Sequence, residues 1–146
     1  MIELVKKNPF GGLILNDLTD FEEVNSIKLP DDYRDFIINF NGGQPVRTEL
    51  IKPKTDVNWL YCFVEEPDWA SFFYTIDLFQ GRIPLSYIPI GRDSAGNQFI
   101  MSVADHNKGV TALWLHEAED PEDGTQYYDN VLWVANSFAE FVDNLS

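Results

Sequence analysis

Apolar side chains recur along this chain with two different spacings, and the spacings divide it into elements. Tyr33, Phe36, Ile37 and Phe40 stand at i, i+3, i+4 and i+7, which puts all four on one face of a helix. Pro30 pre-sets the backbone before them, and Asp31 and Asp32 fall where the positive end of a helix dipole favours carboxylates. Asn41-Gly42-Gly43 then supplies a left-handed stop. A shorter helix is expected just upstream, opened by the capping-box pattern Thr19-Asp20-Phe21-Glu22 and carrying Phe21 and Val24.

Val46 to Ile51 and Val57 to Val64 read as two strands of a hairpin, joined by the turn-forming Lys52-Pro53-Lys54-Thr55-Asp56. Period two places Val57, Trp59, Tyr61 and Phe63 on one face. Asp68 is a candidate cap for a helix from Trp69 to Gln80, with Phe72, Phe73, Ile76 and Phe79 inward and Gly81 at its stop. From Tyr87 onward a meander is expected: Ile88 to Gly91, Gln98 to Val103 and Val110 to His116, with a further strand at Asn130 to Ala135. Ser137-Phe138-Ala139-Glu140 is a second capping box, opening a last helix that bears Phe138, Phe141, Val142 and Leu145. The fold class is therefore α+β: a mostly antiparallel sheet flanked by helices, two N-terminal and one C-terminal.

Length and composition add limits to this outline. With 146 residues, 45% of them hydrophobic and 14% aromatic, the chain is expected to bury a core of its own as one domain, 1–146. No internal repeat, low-complexity tract or long linker divides it. Ten basic against twenty-four acidic side chains give a formal charge of -14, which repels nucleic acid phosphates and anionic membranes. A protein partner with a basic surface fits that sign. The N-terminal Met1 to Pro9 lacks the apolar core of a signal peptide, and the longest purely apolar run has six residues, so neither export nor membrane spanning is expected. The single cysteine, Cys62, can form no disulfide within the chain, and that usage suits the cytoplasm.

The segment Arg92-Asp93-Ser94-Ala95-Gly96 has the look of a nucleophilic serine and its surround. A nucleophilic serine needs a base with an orienting carboxylate behind it, and His106 and His116 are the only histidines. Neither is placed by sequence to serve, whereas Asp, Ser and Gly in this order are turn residues by their own backbone chemistry. The turn reading is therefore preferred. His106 beside Asp105 and His116 beside Glu117 are adjacent pairs, without the i, i+4 spacing that puts two metal ligands on one helix face. No catalytic residue, cofactor or metal site is expected.

Two acidic concentrations remain, each following an apolar strand: Glu65, Glu66 and Asp68, then the run Glu117, Glu119, Asp120, Glu122 and Asp123. With Asp93 these are the candidate partner-binding residues. Their field steers a cationic protein, while affinity requires buried aromatic anchors as well. Trp59, Trp69, Trp114, Tyr127 and Tyr128 are the candidates for that role.

Leu29-Pro30-Asp31-Asp32-Tyr33-Arg34-Asp35-Phe36 followed by Phe40-Asn41-Gly42-Gly43 resembles the Leu-Pro-x-(Asp/Glu)-Tyr-x-x-Phe and Asn-Gly-Gly helix of the SUKH superfamily. Ile88-Pro89-Ile90-Gly91 with Gly96-Asn97-Gln98-Phe99-Ile100 resembles its central hairpin, and Val134 to Phe141 its closing helix. The three segments fall in the family's order over about residues 19 to 145. The hairpin turn departs somewhat, with Arg92-Asp93-Ser94-Ala95 where members often carry more Gly and Asp. The superfamily includes fungal cell-wall assembly regulators and many bacterial immunity proteins. The resemblance implies a non-enzymatic domain similar to cytoplasmic immunity proteins, which bind and silence the nuclease or other toxin domain of a polymorphic toxin. An alternative is a regulatory scaffold of the cell-wall assembly type, and a third a small hydrolase using Ser94 or a carboxylate pair.

Overall fold

The computed structural model describes residues 2–13, 15–118 and 130–146. Its helices are α1 (Leu15–Asn25), α2 (Asp31–Phe40), α3 (Phe72–Phe79) and α4 (Phe138–Asp143); its strands are β1 (Glu49–Leu50), β2 (Thr55–Asp56), β3 (Trp59–Leu60), β4 (Tyr87–Arg92), β5 (Gln98–Ser102), β6 (Thr111–Trp114) and β7 (Val131–Ala135). Short 3-10 turns sit at Asp68–Ala70 and His116–Ala118. Strands β3 to β7 form one antiparallel sheet in chain order, and β1 with β2 makes a separate two-stranded ribbon. The α+β class and the central meander are as the apolar spacing predicts.

Strand β5 is buried along its whole length, so its two faces feed two apolar clusters. Phe99 and Met101 join Leu113 of β6, Tyr33 and Ile37 of α2 and Phe138 and Phe141 of α4 in the main core. Ile100, Ala112 and Trp114 meet Phe79 and Ile83 on the opposite face. Helix α3 ties the two together, giving Phe72 to the first and Phe79 to the second.

Helix α2 has the expected design in full. Tyr33, Phe36 and Ile37 are buried, and Asn41 takes the left-handed conformation with its N–H donating to the Ile37 carbonyl at 3.0 Å. Asp32 does more than favour its own dipole: its second carboxylate oxygen accepts from Ala139 N at 3.0 Å, holding the first turn of α4 against α2. At α4 the Ser137 side chain caps as expected, accepting from Glu140 N at 3.1 Å.

Three sequence expectations are corrected. The Thr19 capping box is not used, because α1 begins at Leu15 and Glu22 is drawn into a tertiary ion pair. Glu22 accepts from Arg34 at 2.9 Å and from Leu29 N at 2.8 Å; Leu18 and Glu22 are buried, Phe21 packs on the core, and Val24 is 83% exposed. The hairpin 46–51/57–64 is split. Glu49 and Leu50 pair with Asp56 and Thr55, and Trp59 and Leu60 cross instead to Arg92 and Gly91. With both of its faces enclosed, the stretch from Leu60 to Phe63 is buried at every position and the period-two alternation fails. Finally, Asp68 does not cap α3. Ser71 does, accepting from Tyr74 N at 3.1 Å, and Asp68 belongs to the 3-10 turn before it.

Candidate partner-binding surface

The chain from Leu60 to Phe72 folds back on itself under tight backbone control. Cys62 N donates to the Ala70 carbonyl and Phe72 N to the Cys62 carbonyl, both at 2.8 Å, while the Ser71 hydroxyl donates to the Val64 carbonyl at 2.6 Å. The Asn41 side chain closes the back of this loop, accepting from Phe63 N at 2.8 Å and donating to the Gly11 carbonyl at 3.1 Å. Gly42 must be a glycine here: its φ is +80°, and a Cβ would lie 2.6 Å from the Tyr61 carbonyl and 2.7 Å from Cys62 Sγ. The result is a fixed platform made of the end of α2, β3 and the loop to α3.

Three aromatic rings stand on that platform. Trp59 and Trp69 meet edge to face with centroids 4.9 Å apart, and Phe10 closes on Trp69 at 5.5 Å and on Trp59 at 6.1 Å. Trp69 remains 52% exposed and Phe10 39% exposed. Arg92 fixes the group from below. Its guanidinium lies 5.7 Å from the centroids of both Trp69 and Tyr61, and Nη1 donates to the Trp69 carbonyl at 2.5 Å. Tyr61 in turn donates to Gln98 Oε1 at 2.6 Å; burial pushes its phenol pKa up, partly countered by Arg92. Beneath Trp59, burial pushes the Cys62 thiol up to about 12, the neighbouring indole pulling weakly the other way. Such a thiol is protonated at neutral pH and inert.

Glu65, Glu66 and Asp68 are all exposed on the loop and 3-10 turn that carry Trp69. Three exposed carboxylates thus share the loop that carries one ring of an exposed aromatic pair. The other candidates are placed differently. Glu117 is exposed on the turn His116–Ala118, which is pinned to the β4–β5 turn by His116 N donating to Asn97 Oδ1 at 3.1 Å. Glu119, Asp120, Glu122, Asp123, Tyr127 and Tyr128 lie outside the described residues. Trp114 is buried in the smaller cluster and offers no anchor.

Asp93 has no face to offer a partner, being 3% exposed. One carboxylate oxygen accepts from Ala95 N at 3.0 Å and Asn97 N at 2.8 Å, the other from Thr55 Oγ1 at 2.8 Å and Asn97 Nδ2 at 3.0 Å. It is the keystone of the β4–β5 turn. Ser94 serves the same turn: its amide donates to Asp56 Oδ1 at 2.9 Å and its hydroxyl to Asp56 Oδ2. Slight burial raises the Asp56 pKa, but the Ser94 hydroxyl and amide outweigh it and hold the carboxyl below its usual value. The His116 ring lies on the Ala95 carbonyl at 2.9 Å, and His106 is exposed in its loop. The serine hydroxyl is therefore engaged by a carboxylate, with the imidazole bonded elsewhere. Among the described residues no three His, Cys, Asp or Glu side chains gather as metal ligands, and no helix is long and apolar enough to cross a membrane.

Sequence reasoning named Trp59 and Trp69 but missed Phe10, Arg92 and the exposed Trp133 of β7, which is 57% exposed. Arg92 lies 23 residues from Trp69 in the chain, so no local signal pointed to the clamp. The α+β architecture, with its Asn-Gly-Gly-capped α2 packed on the closing α4, defines the class of protein. The family model of the SMI1 / KNR4 family (SUKH-1) matches residues 12–144, and the chain belongs to that family. No curated protein matches it.

Proposed function

We propose that this protein is a bacterial immunity protein, an antitoxin that binds a cognate toxin domain in the cytoplasm and neutralises it without chemistry of its own. Membership of the SUKH-1 family supports an immunity-type role. The observation that carries the finer reading is the exposed Trp69 and Phe10 pair on a hydrogen-bonded platform, with Glu65, Glu66 and Asp68 exposed on the loop that carries Trp69. Tight protein interfaces concentrate their energy in a few aromatic or Arg anchors, surrounded by groups that exclude water. Charge at the rim adds little affinity but speeds encounter with an oppositely charged partner. A net charge of -14 selects a basic partner, and a nuclease domain, whose groove must attract phosphate, is the toxin class with that property. The carboxylates then occupy a groove meant for nucleic acid.

Co-expression with the toxin domain encoded beside this gene is the test. Growth should be restored and the two proteins should copurify. Failure of both, with each partner soluble and folded, contradicts the reading.

A further inference from the structure

The five-stranded sheet has two edges, and the chain treats them differently. At β3 the edge is closed by its own backbone: Gly43 N donates to the Leu60 carbonyl and Leu60 N to the Gly43 carbonyl, both at 2.9 Å. At β7, among the described residues, no strand lies beyond it. Leu115 N donates to the Asn130 carbonyl at 2.8 Å, so Asn130 and, by antiparallel alternation, Leu132 turn their backbone groups towards β6. Val131 and Trp133 therefore turn theirs outward.

The side chains on this edge are apolar and open. Leu132 is 38% and Trp133 57% exposed, on opposite faces of the sheet. From Asn130 to Ala139 the sequence carries no charged residue, although the chain as a whole stands at -14. Edge strands are ordinarily guarded by Lys, by Pro or by a bulge that twists them away. Here the register shift opposite Thr111 and Ala112 falls after Trp133, so among the described residues nothing guards the first three residues of β7.

We infer that this edge joins two copies of the chain, continuing the sheet across a two-fold axis at Leu132. In that register Val131 of one copy forms the hydrogen-bonded pair with Trp133 of the other, and the two Leu132 side chains meet in the closer, non-hydrogen-bonded pair. A C2 contact requires one patch to fit itself, and a short, neutral, apolar strand does so. The charge distribution selects a second copy over a basic partner. A cationic protein gains nothing from an uncharged strand, whereas two polyanions can approach only where neither presents carboxylates. The inference is independent of Trp69 and its neighbouring carboxylates, since β7 lies at the opposite side of the sheet from β3. It gives an assembly with two acidic, aromatic faces directed apart.

Sedimentation velocity on the full chain, from micromolar to near-millimolar concentration and at low and high salt, tests it. The mass should rise from monomer to dimer and stop there. High salt should increase the dimer fraction, because it screens the repulsion between like charges, the reverse of its effect on a complex with a basic protein. Leu132→Lys and Trp133→Lys, at exposed positions, should keep the native far-ultraviolet circular dichroism and stay monomeric under all conditions. A wild-type monomer throughout, growth past the dimer, or a dimer that both lysine variants leave intact would overturn the inference.

Discussion

The Arg92 guanidinium donates to the Trp69 carbonyl at 2.5 Å while lying 5.7 Å from the Trp69 ring, so one side chain of β4 fixes both the backbone and the indole of an exposed residue. An anchor held this way loses little further freedom when a partner covers it, which is the condition for a strong contact. Trp69→Ala should therefore weaken toxin binding by about 2 kcal/mol, roughly thirtyfold in Kd. The melting temperature should change little, because the indole is 52% exposed. Calorimetric titration and a thermal melt on the same preparation separate the two.

Reversing the charge of the loop that carries Trp69 acts on a different step. Glu65→Lys, Glu66→Lys and Asp68→Lys together should slow association roughly tenfold at low salt and flatten its salt dependence, with dissociation nearly unchanged. Stopped-flow mixing at several ionic strengths reads this directly.

Ser94 is a turn residue in this account, and Ser94→Ala should leave toxin neutralisation intact. Its loss should cost stability no more than about 1 kcal/mol, since the bond to Asp56 faces solvent. Asp56 is held below its usual pKa by that bond. Its contribution is thus complete above the ordinary carboxylate range and fades as pH falls through the depressed value. Ser94→Ala should shrink this acid-side loss, a change visible in denaturation curves measured from neutral to acidic pH.

Glu22 is 9% exposed and holds both Arg34 and the Leu29 amide. Arg34→Met leaves a carboxylate buried without its cation and should cost about 3 kcal/mol in urea denaturation. Adding Glu22→Gln, which keeps an acceptor for Leu29 N and removes the charge, should recover part of that loss.

At Gly42 the added methyl of Gly42→Ala has nowhere to go, with carbonyls of Tyr61 and Leu60 at 2.6 and 2.7 Å and a φ of +80°. The platform beneath Trp69 should open, with a loss of about 3 kcal/mol or more. Denaturant midpoints check it.

What the sequence reveals about this protein divides by the range of the interactions involved. Helix α2 is legible because its signals are local: Pro30, two aspartates, four apolar positions at helical spacing and an Asn-Gly stop. The meander is legible for the same reason, with Asn, Asp and Gly between short apolar runs. The segment 46–64 is not, since its two-residue strands are fixed by distant partners, Gly43 to Leu60 and Asp56 to Ser94. Glu22 shows the same override, a local capping pattern losing to an arginine twelve residues away. In the candidate site the residue types were readable but their exposure was not. Trp69 and Trp114 look alike in sequence, yet one stands on a loop clamped by Arg92 and the other fills the core under Phe79. Asp93 likewise reads as surface charge until Thr55 and Asn97 enclose it.

The most direct measurement is a titration of the purified chain against the toxin domain of the adjacent gene, repeated with Trp69→Ala and at rising salt. A one-to-one complex, tight at low salt, loosened as salt increases and weakened by the indole's removal, is the expected result. Absence of any complex at low ionic strength, with both proteins folded, would contradict the account.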